Sequence, residues 1–140
     1  MNGMRACIDT NVFIAVKNRE ENYFYCEKII DEIDEGAIEG IISTLVIAEV
    51  LVGFYKNKEE FEASRFLTHV IHTYKVIPVT TNIADFAARL RVAGLKLPDA
   101  IILATAKLND AILITKDTEM KVDDLDVLTP EEFVEKYLKR

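Results

Sequence analysis

The sequence is poor in residues that break or staple a chain. Its 140 residues include no tryptophan, three prolines, five glycines and two cysteines. So few breakers exclude linkers and low-complexity segments, and predict one domain over residues 1–140 built mostly of regular structure. Cys7 and Cys26 form no Cys-x-x-Cys pair and are expected as buried free thiols rather than a disulfide. No cysteine–histidine set has zinc spacing. Long apolar runs are missing too. Residues 45–52 are interrupted by Glu49 and residues 100–106 by Thr105, well short of the roughly 18 residues that span a bilayer. No apolar signal core follows residues 1–5, so the cytoplasm is the expected compartment. Positive charge is in deficit: 17 Lys and Arg stand against 24 Asp and Glu, for a net −7 and a pI near 4.9. That balance excludes a generic basic nucleic-acid binder. Half of the residues are apolar, enough for a real core.

What is present is an alternation of short apolar strands and amphipathic helices. Strands are predicted over 4–8, 40–43, 76–79, 111–115 and 127–128. Helices are predicted over 22–35 with Gly36 as a stop, 45–55 capped by Ser43 or Thr44, and 58–74 with Phe61, Phe66, Leu67, Val70, Ile71 and Tyr74 as its apolar face. A further helix capped by Asn82 ends at Gly94, and Pro98 opens the next, to about Leu108. Thr129-Pro130-Glu131-Glu132 is a capping box that opens a final helix over 130–138. Strands this apolar, with little alternation, imply a parallel sheet covered on both faces. The fold class is α/β, a three-layer α/β/α sandwich with a parallel sheet of four or five strands.

Four acids stand where acids are costly. Asp9 directly follows the first strand. Glu49 interrupts an apolar helix, with Leu45, Val46, Val52 and Gly53 as its helical neighbours. Asp99 lies in the first turn of Leu97-Pro98-Asp99-Ala100-Ile101-Ile102-Leu103, and Asp117 follows the clearest strand by two residues. Sites of open parallel sheets form beyond the carboxyl ends of the strands. All four acids fall at that end if neighbouring strands pair in space. Crowded carboxylates repel, and an oxygen-preferring divalent ion, Mg²⁺ or Mn²⁺, is the natural counter-charge. Taken singly, Asp9 also reads as a helix cap, Asp99 as a dipole partner and Asp117 as a turn residue; Glu49 has no comparable structural role.

These segments resemble the motifs of PIN-domain nucleases, and within them the VapC-like toxins of toxin–antitoxin pairs. Ile8-Asp9-Thr10-Asn11-Val12-Phe13 is similar to the opening motif. Residues 42–53 around Glu49 are similar to the second, residues 97–106 around Asp99 to the third, and Leu113-Ile114-Thr115-Lys116-Asp117 to the last. The resemblance implies a Mg²⁺- or Mn²⁺-dependent endoribonuclease acting on single-stranded or looped RNA. It also implies a small antitoxin protein as partner and a homodimer. Asp9, Glu49, Asp99 and Asp117 are then both the catalytic and the metal-holding residues. Hydrolysis of the two-metal type would leave a 5′-phosphate. Thr10, Asn11 and Thr115 are candidates to hold the acids or a bound water from behind.

The competing readings are a phosphohydrolase with Asp9 as nucleophile, in which Asn11 replaces the second acid; a receiver-like module, which lacks the second acid after strand one; and a non-catalytic protein-binding scaffold. Charge is uneven along the chain. Residues 50–96 carry seven bases and four acids, whereas an acidic stretch runs from Glu119 to Glu135. Arg89 and Arg91 are the expected RNA contacts. Arg65, His69, His72 and Lys75 share one helical face, read as a solvated face ahead of a phosphate stripe. Tyr23, Phe24, Phe54 and Tyr55 are read first as core, then as an antitoxin or dimer surface. Bound metal would reverse the local field of the acids, so RNA binding is expected to depend on metal more than on bulk charge.

Overall fold

A computed structural model describes residues 3–122 and 124–139; Asp123, within the acidic stretch, lies outside them. Five strands make one parallel sheet: β1 (Arg5–Ile8), β2 (Glu39–Ser43), β3 (Lys75–Ile77), β4 (Ile112–Ile114) and β5 (Val127–Leu128), in the order β3-β2-β1-β4-β5. Seven α-helices accompany them among the described residues: α1 (Thr10–Lys17), α2 (Tyr23–Asp34), α3 (Thr44–Lys56), α4 (Glu60–Thr73), α5 (Thr81–Val92), α6 (Leu97–Leu108) and α7 (Pro130–Phe133). The α/β sandwich expected from the sequence is the architecture found. None of the described helices is long and apolar enough to cross a membrane.

Burial shows why the sheet is covered on both sides. Successive strand side chains point to opposite faces, yet Ala6, Cys7 and Ile8 of β1, Ile41 and Ile42 of β2, and Leu113 and Ile114 of β4 are all fully buried. Cys7 is in register with Ile41 on one side and Leu113 on the other, which puts β1 at the centre. Cys7 and Cys26 are free and buried; burial pushes the Cys26 thiol up to about 11 and Cys7 higher still, so both pack as inert apolar groups.

The chain lays down β1, β2 and β3 outwards, then crosses through α5 and α6 to place β4 on the other side of β1. At such a reversal, connections leave neighbouring strands in opposite directions and open a crevice beyond their carboxyl ends. Ser43 starts α3 there, its hydroxyl accepting from Leu45 N at 3.1 Å.

Several boundaries differ from the sequence expectation for identifiable reasons. β3 ends at Ile77 because Pro78 has no N–H to continue the ladder. α5 is capped by Thr80, whose hydroxyl accepts from Ile83 N at 3.2 Å, so Asn82 falls inside the first turn. Lys58 adopts a left-handed conformation, φ 57°, and α4 therefore starts at Glu60. The face of α4 is narrower than expected: Phe61 and Ile71 are exposed, and only Ala63 and Val70 are fully buried. This helix packs on α3 and the edge strand β3. The capping box at Thr129 and Glu132 is present, but the last helix passes into a π turn over Val134–Leu138. Gly40 in β2 lies under the ring of Tyr74, where a Cβ would come within 2.6 Å of the ring and 2.7 Å of Ile33.

Candidate active site

Four elements deliver the four acids to one cleft of about 330 Å³, lined by Asp9, Thr10, Asn11, Ile14, Glu49, Asp99 and Asp117. Asp9 is the residue between β1 and α1. Its extended backbone and its carboxylate, which accepts from Thr10 N at 2.7 Å, make it the cap of α1. Glu49 projects from α3, Asp99 from the first turn of α6, and Asp117 from the loop after β4. Asp9 is buried; the other three are half-buried. Glu49 is thus less buried than its apolar surroundings in sequence suggest, because Ala48 and Val52 beside it are exposed.

Three uncharged side chains hold this set in place. The Thr10 hydroxyl donates to Glu49 Oε1. The Thr115 hydroxyl donates to Asp9 Oδ2 at 2.7 Å, while its oxygen accepts from Asn11 Nδ2 at 3.1 Å and Asp117 N at 3.0 Å. Asn11 Oδ1 accepts from Lys116 N at 3.0 Å. Asp117 folds back on its own loop, accepting from Glu119 N at 2.9 Å. The β4 loop is therefore fastened to the start of α1 at several points. A further fastening, absent from the sequence reading, is the ion pair of Lys116 Nζ with Glu20 Oε1 at 2.8 Å. Nothing in the spacing of residues so far apart announces it.

The acids feel one another. Burial pushes the Asp9 carboxyl up to about 6; the donors Thr115 and Thr10 oppose the rise, and the charges of Asp99 and Glu49 add to it. Asp99 is also raised, by burial first, then by Asp117 and Glu49, with Lys96 pulling the other way. Such mutual repulsion is a cost that a cation would relieve. Among the described residues, no three acidic, histidine or cysteine side chains already form a closed metal-binding cluster. The donor chemistry fits a hard divalent cation, since every ligating atom available is an oxygen, and carboxylates suit Mg²⁺ and Mn²⁺.

The remaining sequence candidates lie elsewhere. Arg89 and Arg91 are exposed in the last turn of α5, outside the cleft lining, and Arg89 pairs with Asp85 at 3.3 Å. His69 Nε2 meets Asp34 Oδ1 at 2.9 Å and His72 Nδ1 meets Thr68 O at 2.8 Å, so each ring has a local partner. Phe24 and Tyr55 are exposed, whereas Phe54 packs against the core beside Phe66. Phe54 also lines a cavity of about 740 Å³, with Phe13, Phe66 and Tyr74.

Comparison with known proteins identifies the fold. A PIN domain family model matches residues 6–125. An uncharacterised protein of Archaeoglobus fulgidus is 61% identical over 57 residues, 41% of this chain and 93% of that protein. A toxin–antitoxin complex from Klebsiella pneumoniae contains a similar structure, with a TM-score of 0.73 and 31% identity over 89% of this chain and 97% of that chain. VapC20 of Mycobacterium tuberculosis, a sarcin–ricin loop cleaving toxin, shares the fold at 14% identity, with a TM-score of 0.67 over 86% of this chain and 95% of that one. With most of its length matched, the chain belongs to the PIN domain family of nucleases, and its structural neighbours include toxins of toxin–antitoxin pairs.

Proposed function

We propose that this chain is a metal-dependent endoribonuclease that cuts single-stranded or looped RNA, working as one domain and as the toxin of a toxin–antitoxin pair. The observation that carries the reading is the convergence of Asp9, Glu49, Asp99 and Asp117, from four separate segments, on one cleft. These four would hold one or two Mg²⁺ or Mn²⁺ ions. Such an ion, when bound, supplies positive charge at a phosphate and lowers the pKa of water. The protein's own contribution is orientation. Thr115 and the Thr10 amide each occupy one oxygen of Asp9 and fix its plane, the Thr10 hydroxyl fixes Glu49, and Asp117 is held by its own turn. Carboxylates preset in this way spend little free energy on reorganisation when a cation arrives.

Two partners belong to the proposal. The cavity lined by Phe13, Phe54, Phe66 and Tyr74 offers aromatic anchors for an antitoxin segment, with Lys17 and Arg65 at its wall. Val92, Leu97 and Leu108, exposed on α5 and α6, offer apolar surface for a homodimer. The phosphohydrolase reading loses support because Asn11 spends both ends of its amide on Thr115 and Lys116 rather than on the cleft.

The test is cleavage of single-stranded RNA with Mn²⁺ or with EDTA. Cleavage is expected with Mn²⁺ alone, and is expected to vanish in Asp9→Asn and Asp99→Asn proteins whose circular dichroism matches the parent. Cleavage retained by both variants would overturn the assignment. A parent protein that binds an antitoxin but cuts nothing would favour the scaffold reading.

A further inference from the structure

We infer that Lys96 holds a backbone phosphate of the RNA beside the carboxylate cleft. This rests on the nuclease reading above and adds a substrate contact to it.

Lys96 immediately precedes α6, and Asp99 follows three positions later. Lys96 is the N-cap of α6, with an extended backbone, and the N-cap and third residue of a helix meet across its first turn, so the Lys96 stem starts beside the turn that carries Asp99 to the cleft. Proximity is visible in the electrostatics: the Lys96 charge favours the ionised form of Asp99. Only one other lysine or arginine lies within three residues of a cleft acid, and that is Lys116, whose ammonium is taken by Glu20 at 2.8 Å. Lys96 is exposed and makes no ion pair among the described residues. Arg89, by contrast, is paired with Asp85.

The chemistry of the ligand follows from this arrangement. An acidic protein that takes a polyanion into a cleft of four carboxylates needs a cation at the rim that no acid has already claimed. A lysine suits that task, being a mobile point charge that accepts any phosphate regardless of base. Its contribution is to binding along the strand, equal in ground and transition states, rather than to the chemical step.

The experiment measures kcat and KM for a single-stranded RNA in Mn²⁺ over a range of salt, for the parent, Lys96→Ala, Lys96→Arg and Lys107→Ala. Lys107 is an exposed residue in the last turn of the same helix and makes no ion pair among the described residues. Lys96→Ala is expected to raise KM roughly five- to tenfold at low salt, with kcat within about twofold, and to make the salt dependence of log(kcat/KM) shallower by about 0.7. Lys96→Arg should recover most of the loss, Lys107→Ala should match the parent, and the Mn²⁺-induced rise in melting temperature should survive in Lys96→Ala. An unchanged KM and salt slope in Lys96→Ala would overturn the inference. So would a fall in kcat together with loss of the Mn²⁺ effect, which would make Lys96 a support of the acids instead. Failure of the parent to cleave RNA would instead sink the nuclease reading, and Lys96 with it.

Discussion

Thr115 does more than any other uncharged residue at the cleft. One hydroxyl donates to Asp9 and accepts from Asn11 and from the amide of Asp117, so the start of α1 and the loop after β4 meet on a single oxygen. Its partner Asp9 carries a measurable consequence. The folded chain holds the Asp9 proton up to about 6, against an ordinary 3.8. Between those values the folded state binds more proton than the unfolded state, so the stability due to this residue is full below about pH 3.8 and is lost as pH rises through about 6. The cost of the ionised form is at most about 3 kcal/mol. Asp9→Asn should therefore unfold at higher urea than the parent at pH 7.5 in EDTA, with the difference closing towards pH 4. An identical difference at both pH values would show that the buried charge is not the cause. The positions of Asp9, Glu49, Asp99 and Asp117 were legible from their misfit with apolar neighbours. The bonds among Thr10, Glu49, Asn11 and Thr115 were not, because each joins segments about 40 to 105 residues apart, for which neither periodicity nor spacing gives a sign.

At the scale of elements, legibility followed locality. Strands and helices with strong apolar patterns, such as β1, α2 and α6, were readable to within a residue or two, and so was the capping box of α7. The misread parts were those whose outcome is set by what lies across from them. Phe61 and Ile71 fit a helical stripe but stay exposed, since α4 packs on α3 and on β3, a short strand at the edge of the sheet. Thr80 rather than Asn82 caps α5 because Thr80 keeps an extended backbone, a choice made by the turn after β3. Gly40 is a further case of control from a distance. An alanine there would ordinarily favour a strand slightly, yet its methyl would overlap Tyr74 and Ile33. Gly40→Ala should cost roughly 1–3 kcal/mol, the usual range for overpacking, read as a lower urea midpoint with an unchanged slope. A neutral or stabilising result would mean that the Tyr74 ring can move aside.

For the whole molecule, net charge and local charge make separate demands. The surplus of acid includes many solvated positions, whereas the cleft carboxylates repel one another in place. A divalent ion that binds only the folded state stabilises it by mass action, by about 2.7 kcal/mol at a hundredfold excess over Kd. Millimolar Mn²⁺ should thus raise the melting temperature by several degrees, and Asp99→Asn should blunt that rise. A melting curve that Mn²⁺ leaves unmoved would show that the cleft does not gather a cation.

The crossover that places β4 beside β1 also sets a clock on the chain. During synthesis, Asp9 and Glu49 emerge early, but Asp99 and Asp117 come from segments that follow the crossing, and the β4 loop that clasps Asp9 through Thr115 is made later than most of the sheet. A half-made chain on the ribosome holds two of the cleft's four acids and no β4 to dock on β1. The cleft therefore cannot assemble until the chain has been made as far as the loop after β4. Topology alone keeps Asp9 and Glu49 without their two partners until then.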